Sequence, residues 1–198
     1  MWQRTFLKSK HAYHTLSRPT LLLLTFLLMA SCDWFNPREA ETPQEEESDW
    51  QQPLNPSSVL ANLERAFEDR NIINYGASLA SGFEFFGDLS DSLYVNPGSF
   101  NDWYYDVEID VATKLFNSFS NIELYFQDSL KDSTGAEAHF YELYTINLES
   151  LDSSVVAKGL AHFKLTTDSL NLWSIAEWND FRTDTIFIDW GILKAKNR

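Results

Sequence analysis

Apolar residues first recur at helical spacing. Val59, Leu60, Leu63, Ala66 and Phe67 fall on one side of a helix, with Glu64, Arg65, Glu68 and Asp69 opposite, as an amphipathic surface helix requires. Asn55-Pro56-Ser57-Ser58 precedes them, a polar cap followed by a proline at the first helical position. Asn71 opens a second, shorter helical pattern through Ile72, Ile73, Tyr75 and Leu79. Gly82-Phe83-Glu84-Phe85-Phe86-Gly87 reads as a strand. Residues 88–100 read as a loop, because Asp88, Ser90, Asp91 and Ser92 lead into the turn signal Asn96-Pro97-Gly98. Asn101 is expected to cap a third helix running to about Phe119. Trp103, Val107, Ile109, Ala112, Leu115 and Phe116 supply its apolar side.

Beyond Phe119 the period changes to two. Ile122, Leu124 and Phe126 alternate with Glu123, Tyr125 and Gln127, the pattern of a half-buried strand. Lys131-Asp132-Ser133-Thr134-Gly135 reads as a turn, and Ala138, Phe140, Tyr144, Ile146 and Leu148 make one face of the next strand. After a turn at Leu151-Asp152-Ser153-Ser154, residues Val155, Ala157, Gly159, Ala161, Phe163 and Leu165 face one way. Lys158, His162 and Lys164 face the other. Thr167-Asp168-Ser169 turns the chain into a strand over Leu172 to Asn179, and a last segment runs from Thr185 to Trp190. Long strands joined by short polar turns imply an antiparallel meander. Helices followed by such strands place the domain, residues 55–198, in the α+β class, with the N-terminal helices packed on a mostly antiparallel sheet.

The N-terminal third follows neither pattern. Leu21 to Ala30 is an apolar run broken by Thr25, after Arg4, Lys8, Lys10 and Arg18. A bilayer-spanning helix needs about 20 apolar residues, so the run is too short to span and suits the apolar region of a secretory signal. Its end, Ala30-Ser31-Cys32, resembles a bacterial lipoprotein signal, with Met29 where that pattern usually has Leu. The resemblance implies that residues 1–31 are removed, that Cys32 carries the lipid (palmitate among its acyl chains), and that the protein sits on a membrane of the cell envelope. Residues 32–54 then read as a disordered tether, with seven acidic residues against Arg38 and with Pro37, Pro43 and Pro53. Fully extended, it would reach roughly 75 Å. Asp33 beside the lipid and the acidic run after it point to different membranes under different sorting rules, so the periplasmic side and the outer surface both remain open.

Charge narrows the partners. The chain carries 15 basic and 29 acidic residues. Loss of the four basic residues in 1–31 leaves 11 against 29, a net charge of −18. Nucleic-acid binders need a basic surface to displace counterions, so that class is excluded. A lone cysteine forms no internal disulfide, and no phosphate loop, nucleophile elbow or metal motif occurs. No cofactor and no metal are expected.

The C-terminal stretch Trp173-Ser174-Ile175-Ala176-Glu177-Trp178-Asn179-Asp180, followed by Trp190-Gly191-Ile192-Leu193-Lys194, resembles the closing strands of the nuclear transport factor 2-like (SnoaL-like) superfamily. The small residues of Val156 to Phe163 and the two opening helices suit it too. The resemblance covers roughly residues 55–193 and implies a cone-shaped, strongly bent sheet with a pocket between its concave face and the helices. The superfamily holds isomerases, cyclases and dehydratases beside members without catalysis, so it fixes no activity.

Candidate chemistry is sparse. Glu142 interrupts the apolar face of its strand, and an acid in a closed apolar cavity gains the raised pKa of a general base. Glu177 stands in a similar pattern beside Trp173 and Ile175. These two are the weak catalytic candidates. Asp88, after the first strand, is a candidate for a pocket mouth. His139 and His162 are expected on adjacent strands, on the face away from the core. Trp103, Tyr104, Tyr144, Trp173 and Trp178 are candidates to line a pocket for an apolar or sugar-like ligand. The expectation is a lipid-anchored domain that binds such a ligand without transforming it. The alternatives are an assembly module for another envelope protein, with a homodimer through the outer sheet face, and a small isomerase, cyclase or dehydratase.

Overall fold

The computed structural model describes residues 50–198. The proposed signal, Cys32 and most of the tether lie outside the described residues. Residues 51–53, which the charge pattern assigns to the tether, are bonded to the domain. The Gln51 backbone exchanges hydrogen bonds with the Asn62 side chain at 2.9 and 2.6 Å, and the Trp173 backbone N–H donates to the Pro53 carbonyl at 2.8 Å.

Helix α1 spans Pro56–Glu68, capped by the Asn55 side chain, which accepts from the Ser58 N–H. It buries the five apolar residues its spacing selects. The chain reverses through Arg70, whose φ is 51°, into α2, Ile72–Ala77, capped by Asn71. Leu79 does not extend this helix. It opens β1, Leu79–Phe86, and Ile73 points to solvent. A 3-10 helix, Leu89–Leu93, occupies the expected loop. Helix α3, Tyr105–Ser118, starts later than expected. Asn101 does not cap it, because the Trp103 carbonyl accepts from the Phe85 N–H at 3.0 Å and so holds the preceding residues beside β1.

Strands β2 (Asn121–Thr134), β3 (Glu137–Glu149), β4 (Ser154–Thr167) and β5 (Trp173–Phe181) complete a sheet of order β1-β5-β4-β3-β2. Strand β1 runs parallel to β5 and the other pairings are antiparallel. Lys131 to Thr134 are strand rather than turn, and the reversal falls at Gly135. The chain ends in α4, Trp190–Ala195, a helix where the sequence resemblance implies a strand. Asp189 caps it through the Ile192 N–H at 2.8 Å.

Two extra residues decide which side chains face inward, because a one-residue slip moves every later residue to the other face. In β2 the register changes between Gln127 and Leu130. Lys131 thereby comes opposite Phe140, on the concave face. In β5 the register changes at Ala176: Ile175 pairs with Leu165 and Glu177 with Lys164. Glu177 therefore turns to the outer face, away from the apolar set it was grouped with, while Trp178 and Asp180 turn inward.

The core lies between the concave face and the helices. Phe67 of α1 meets Tyr75, Phe116 and Trp190 edge-on, with centroids 5.1–5.3 Å apart, a favourable aromatic geometry. Among the described residues no helix is long and apolar enough to cross a membrane.

Candidate functional site

The centre of the cone is filled by a charged pair of the protein's own. Glu108 of α3 is fully buried, on the stripe of Val111, Ala112, Leu115 and Phe116. One carboxylate oxygen lies 2.7 Å from the Lys194 Nζ of α4 and accepts from the Tyr75 hydroxyl. The other accepts from the Trp103 Nε1–H at 2.7 Å. Lys194 is 1% exposed. Its ammonium stands 3.5 Å from the Trp178 ring centroid and 3.9 Å from that of Phe85, a cation–π cage. Burial pushes the Lys194 pKa down, against the pull of Glu108. Burial, then the Glu108 charge, holds the Tyr75 phenol well above its ordinary value.

Beside this pair three buried aspartates converge on the first turn of α4. Asp180 accepts from the Gly191 N–H at 2.7 Å. A Cβ on Gly191 would stand 2.9 Å from an Asp91 oxygen and 3.3 Å from Asp180, so only glycine admits this approach. Burial foremost, and then Asp189, raises Asp91 to about 8. Burial and the Asp189 charge raise Asp180 to about 7. The Arg182 guanidinium is 3.7 Å from Asp91. Tyr144 ties the same turn to the sheet by accepting from the Trp190 N–H at 2.6 Å. Its hydroxyl needs Gly159 on the neighbouring strand, where a Cβ would overlap it.

The sequence-derived candidates are thereby sorted. Trp103, Tyr144 and Trp178 are core residues, because their rings pack against Phe85, Phe163 and Trp190. Tyr104 is 52% exposed. Trp173 lines a cleft of about 560 Å³ with Trp50, Pro53, Leu79, Ser81, Thr166 and Thr167. Asp168 borders this cleft, but its carboxylate accepts from the Leu170 and Leu172 N–H groups and holds a turn. Asp88 caps the 3-10 helix and accepts from the Arg182 N–H.

Glu142 faces inward, 1% exposed. It lies 3.2 Å from the Lys131 Nζ. It lines a cleft of about 180 Å³ with Ser57, Leu60, Ala61, Glu64, Phe126 and Lys131. Glu64 accepts from the Phe126 N–H at 3.0 Å. Burial, then the charges of Glu68 and Glu142, raises its pKa.

On the outer face His139 and His162 do meet, Nδ1 to Nε2 at 2.9 Å. Glu137 accepts from His139, and Lys164 bridges Glu137 and Glu177 at 3.6 and 3.0 Å. Burial, and then His139, lowers the His162 pKa. Among the described residues no group of three or more His, Cys, Asp or Glu is placed to hold a metal.

No protein-family model and no curated sequence matches the chain. Solved structures do. A proposed aromatic ring hydroxylase from Novosphingobium aromaticivorans superposes at a TM-score of 0.55 and 14% identity, over 68% of this chain and 90% of that one. A proposed scytalone dehydratase from the same species gives 0.53 at 9% identity, covering 63% and 78%. A conserved protein from Planctomyces limnophilus gives 0.53 at 10%, covering 62% and 89%. The fold is nuclear transport factor 2-like. In this nuclear transport factor 2-like cone, Lys194, Glu108 and their aromatic cage fill the place between concave face and helices where the resemblance implies a pocket.

Proposed function

We propose that the protein is a lipid-anchored component of the bacterial cell envelope, held by Cys32, whose domain binds a small apolar or sugar-like ligand without transforming it. The observation that carries the non-catalytic part is the Glu108–Lys194 pair. Glu108 and Lys194 neutralise one another and the ammonium is enclosed by aromatic rings, so neither is open to a substrate. The ligand's place is the cleft of about 560 Å³ beside Trp173, within the 300–1,000 Å³ typical of small-molecule sites. Trp50 and Trp173 offer apolar faces, and Ser81, Thr166 and Thr167 offer hydroxyls. That combination suits the alternating C–H and O–H surface of a sugar ring.

The dehydratase-like alternative needs a free acid or base in a substrate chamber, and Glu142 is instead ion-paired with Lys131.

The test is native mass spectrometry of residues 48–198 purified from a bacterial host, at rising collision energy. A defined small molecule that leaves the wild-type domain, and is absent from Trp173→Ala, supports the reading. Bare protein that runs as a dimer shifts the weight to the assembly alternative. For the anchor, Cys32→Ser in the full chain abolishes incorporation of labelled palmitate. Unchanged labelling defeats the lipid assignment.

A further inference from the structure

We propose that residues 50–54 are a clasp, a movable wall of the Trp173 cleft that Asn62 of α1 latches to the domain. Occupancy of the cleft then decides whether this end of the tether is held or released. The inference rests on the reading of that cleft as a ligand site.

The clasp completes an edge that the sheet leaves open. Trp173 and Ile175 stand two apart on β5, so their N–H groups point to the same edge. The Ile175 N–H donates to the Ser78 carbonyl at 2.9 Å, at the start of β1. The Trp173 N–H, the next along that edge, donates to Pro53 at 2.8 Å. Strand β1 bulges away from β5 here: Leu79 to Glu84 is a step of five residues, where their partners Ile175 and Glu177 are two apart. Ala80 and Ser81 of the bulge line the cleft together with Trp50 and Pro53. Sheet edge and tether thus build the site jointly.

The latch belongs to the helix. Asn62 lies on the inward stripe of α1 with Val59, Leu63 and Ala66, and it is 1% exposed. An amide in that place is costly unless it is hydrogen-bonded. Its carbonyl accepts from the Gln51 N–H at 2.9 Å, and its amide donates to the Gln51 carbonyl at 2.6 Å. A buried side chain that bonds the tether backbone through both its ends is a fastening, not a chance approach.

The fastening is light. Gln51, Gln52 and Leu54 are exposed, and Trp50 and Pro53 are half-buried. On release, each hydrogen bond to Asn62 or from Trp173 is exchanged for one to water, and the segment regains its conformational freedom. Local opening of such a segment costs far less than unfolding the sheet. A ligand that touches Trp50 or Pro53 makes its full contacts only with the docked form, so it draws the clasp down by linkage. Release lengthens the tether by residues 50–54, roughly 16 Å when extended.

The experiment is hydrogen-exchange mass spectrometry of the full chain, in a detergent without a sugar headgroup. It reads the Gln51 and Trp173 amides against those of the β3–β4 ladder. Both are expected to exchange faster than the ladder. Asn62→Leu, which keeps the apolar stripe, speeds both by about tenfold and leaves the ladder unchanged. The Trp173 amide bonds Pro53 and not Asn62, so its response reports release of the whole segment. A Trp173 amide unmoved by Asn62→Leu overturns the proposal, as do wild-type amides as slow as the ladder. The ligand's part is read in native mass spectra. A small molecule carried by the wild type is expected to be lost from Asn62→Leu as it is from Trp173→Ala. If Trp173→Ala loses it and Asn62→Leu keeps it, the cleft reading stands and the clasp falls. If the wild type carries none, the ligand reading falls and control by a ligand falls with it, whatever the exchange rates.

Discussion

The centre of the cone and the outer face of its sheet carry similar charged residues with opposite fates. Inside, Glu108 and Lys194 meet at 2.7 Å among aromatic rings and hydrogen-bond donors, with the Asp180 carboxyl close enough to act on Lys194. Outside, Lys164 meets Glu177 at 3.0 Å in contact with water. The two distances are nearly equal, so geometry alone does not rank the pairs. Solvent does. Water screens the outer pair and competes for its charges, leaving at most a small net gain. The inner pair has left water altogether, and each charge depends on the other. A charge in this protein is therefore available for binding only where the sheet or the helices leave it near solvent. That condition passes over the centre of the cone.

Breaking the inner pair gives the largest expected effect. Glu108→Ala leaves the Lys194 ammonium buried without its carboxylate, and loss of one partner of a buried pair costs about 3–5 kcal/mol. Denaturant unfolding of wild type and variant measures it. Replacing both together, Glu108→Gln with Lys194→Met, returns most of that loss, because no charge is then stranded. If Glu108→Ala unfolds at the wild-type denaturant concentration, the pair is not what holds α4 to α3.

The aspartates around α4 give the next effect, and its sign differs from that of ordinary acids. The folded state holds protons on Asp180 up to about pH 7 and on Asp91 up to about pH 8, whereas an unfolded aspartate releases its proton near pH 3.9. Between these limits the native state binds more protons than the unfolded state, so stability falls as pH rises. Below about pH 4 the contribution is fully present, and above about pH 8 it is gone. Each retained proton contributes a slope of up to about 1.4 kcal/mol per pH unit. Asp91→Asn removes one titrating group, so the variant loses stability less steeply between pH 5 and 8, by on the order of 1 kcal/mol per unit. Equal slopes for variant and wild type would show that Asp91 is ionised throughout.

Much of the fold was legible because its signals are periodic. The helix at Val59–Phe67 and the inward sets of β3 and β4 follow from spacing alone. The interior chemistry was not, because a charged residue on an apolar stripe reads as an interruption. Glu108 sits at the spacing of Val111, Ala112 and Leu115, a position that marks it as buried once the stripe is drawn through it rather than through Val107 and Ile109. The bulge in β5 was also readable. Trp173, Ile175 and Trp178 are all apolar, yet the odd step from 175 to 178 cannot keep one face without an extra residue. Taking that step at face value moves Glu177 outward and Asp180 inward, as observed. The convergence of Asp91, Asp180 and Asp189 had no such signal, since a 3-10 helix, a strand and a helix cap bring them together only in three dimensions.

The smallest effect sharpens the comparison most. Lys164→Met removes the cation between Glu137 and Glu177 on the outer face, the formal counterpart of removing Lys194 from the interior. Both carboxylates are then hydrated instead of stranded, so Tm moves by less than about 2 °C. What shift there is shrinks further in 1 M salt, where the screening length is about 3 Å. The readout is a pair of thermal melts at low and high salt for Lys164→Met beside Lys194→Met. A loss at Lys164 as large as the loss at Lys194, and insensitive to salt, would mean that the outer face is covered in solution. The contrast between inside and outside would then describe the isolated chain and not the working protein.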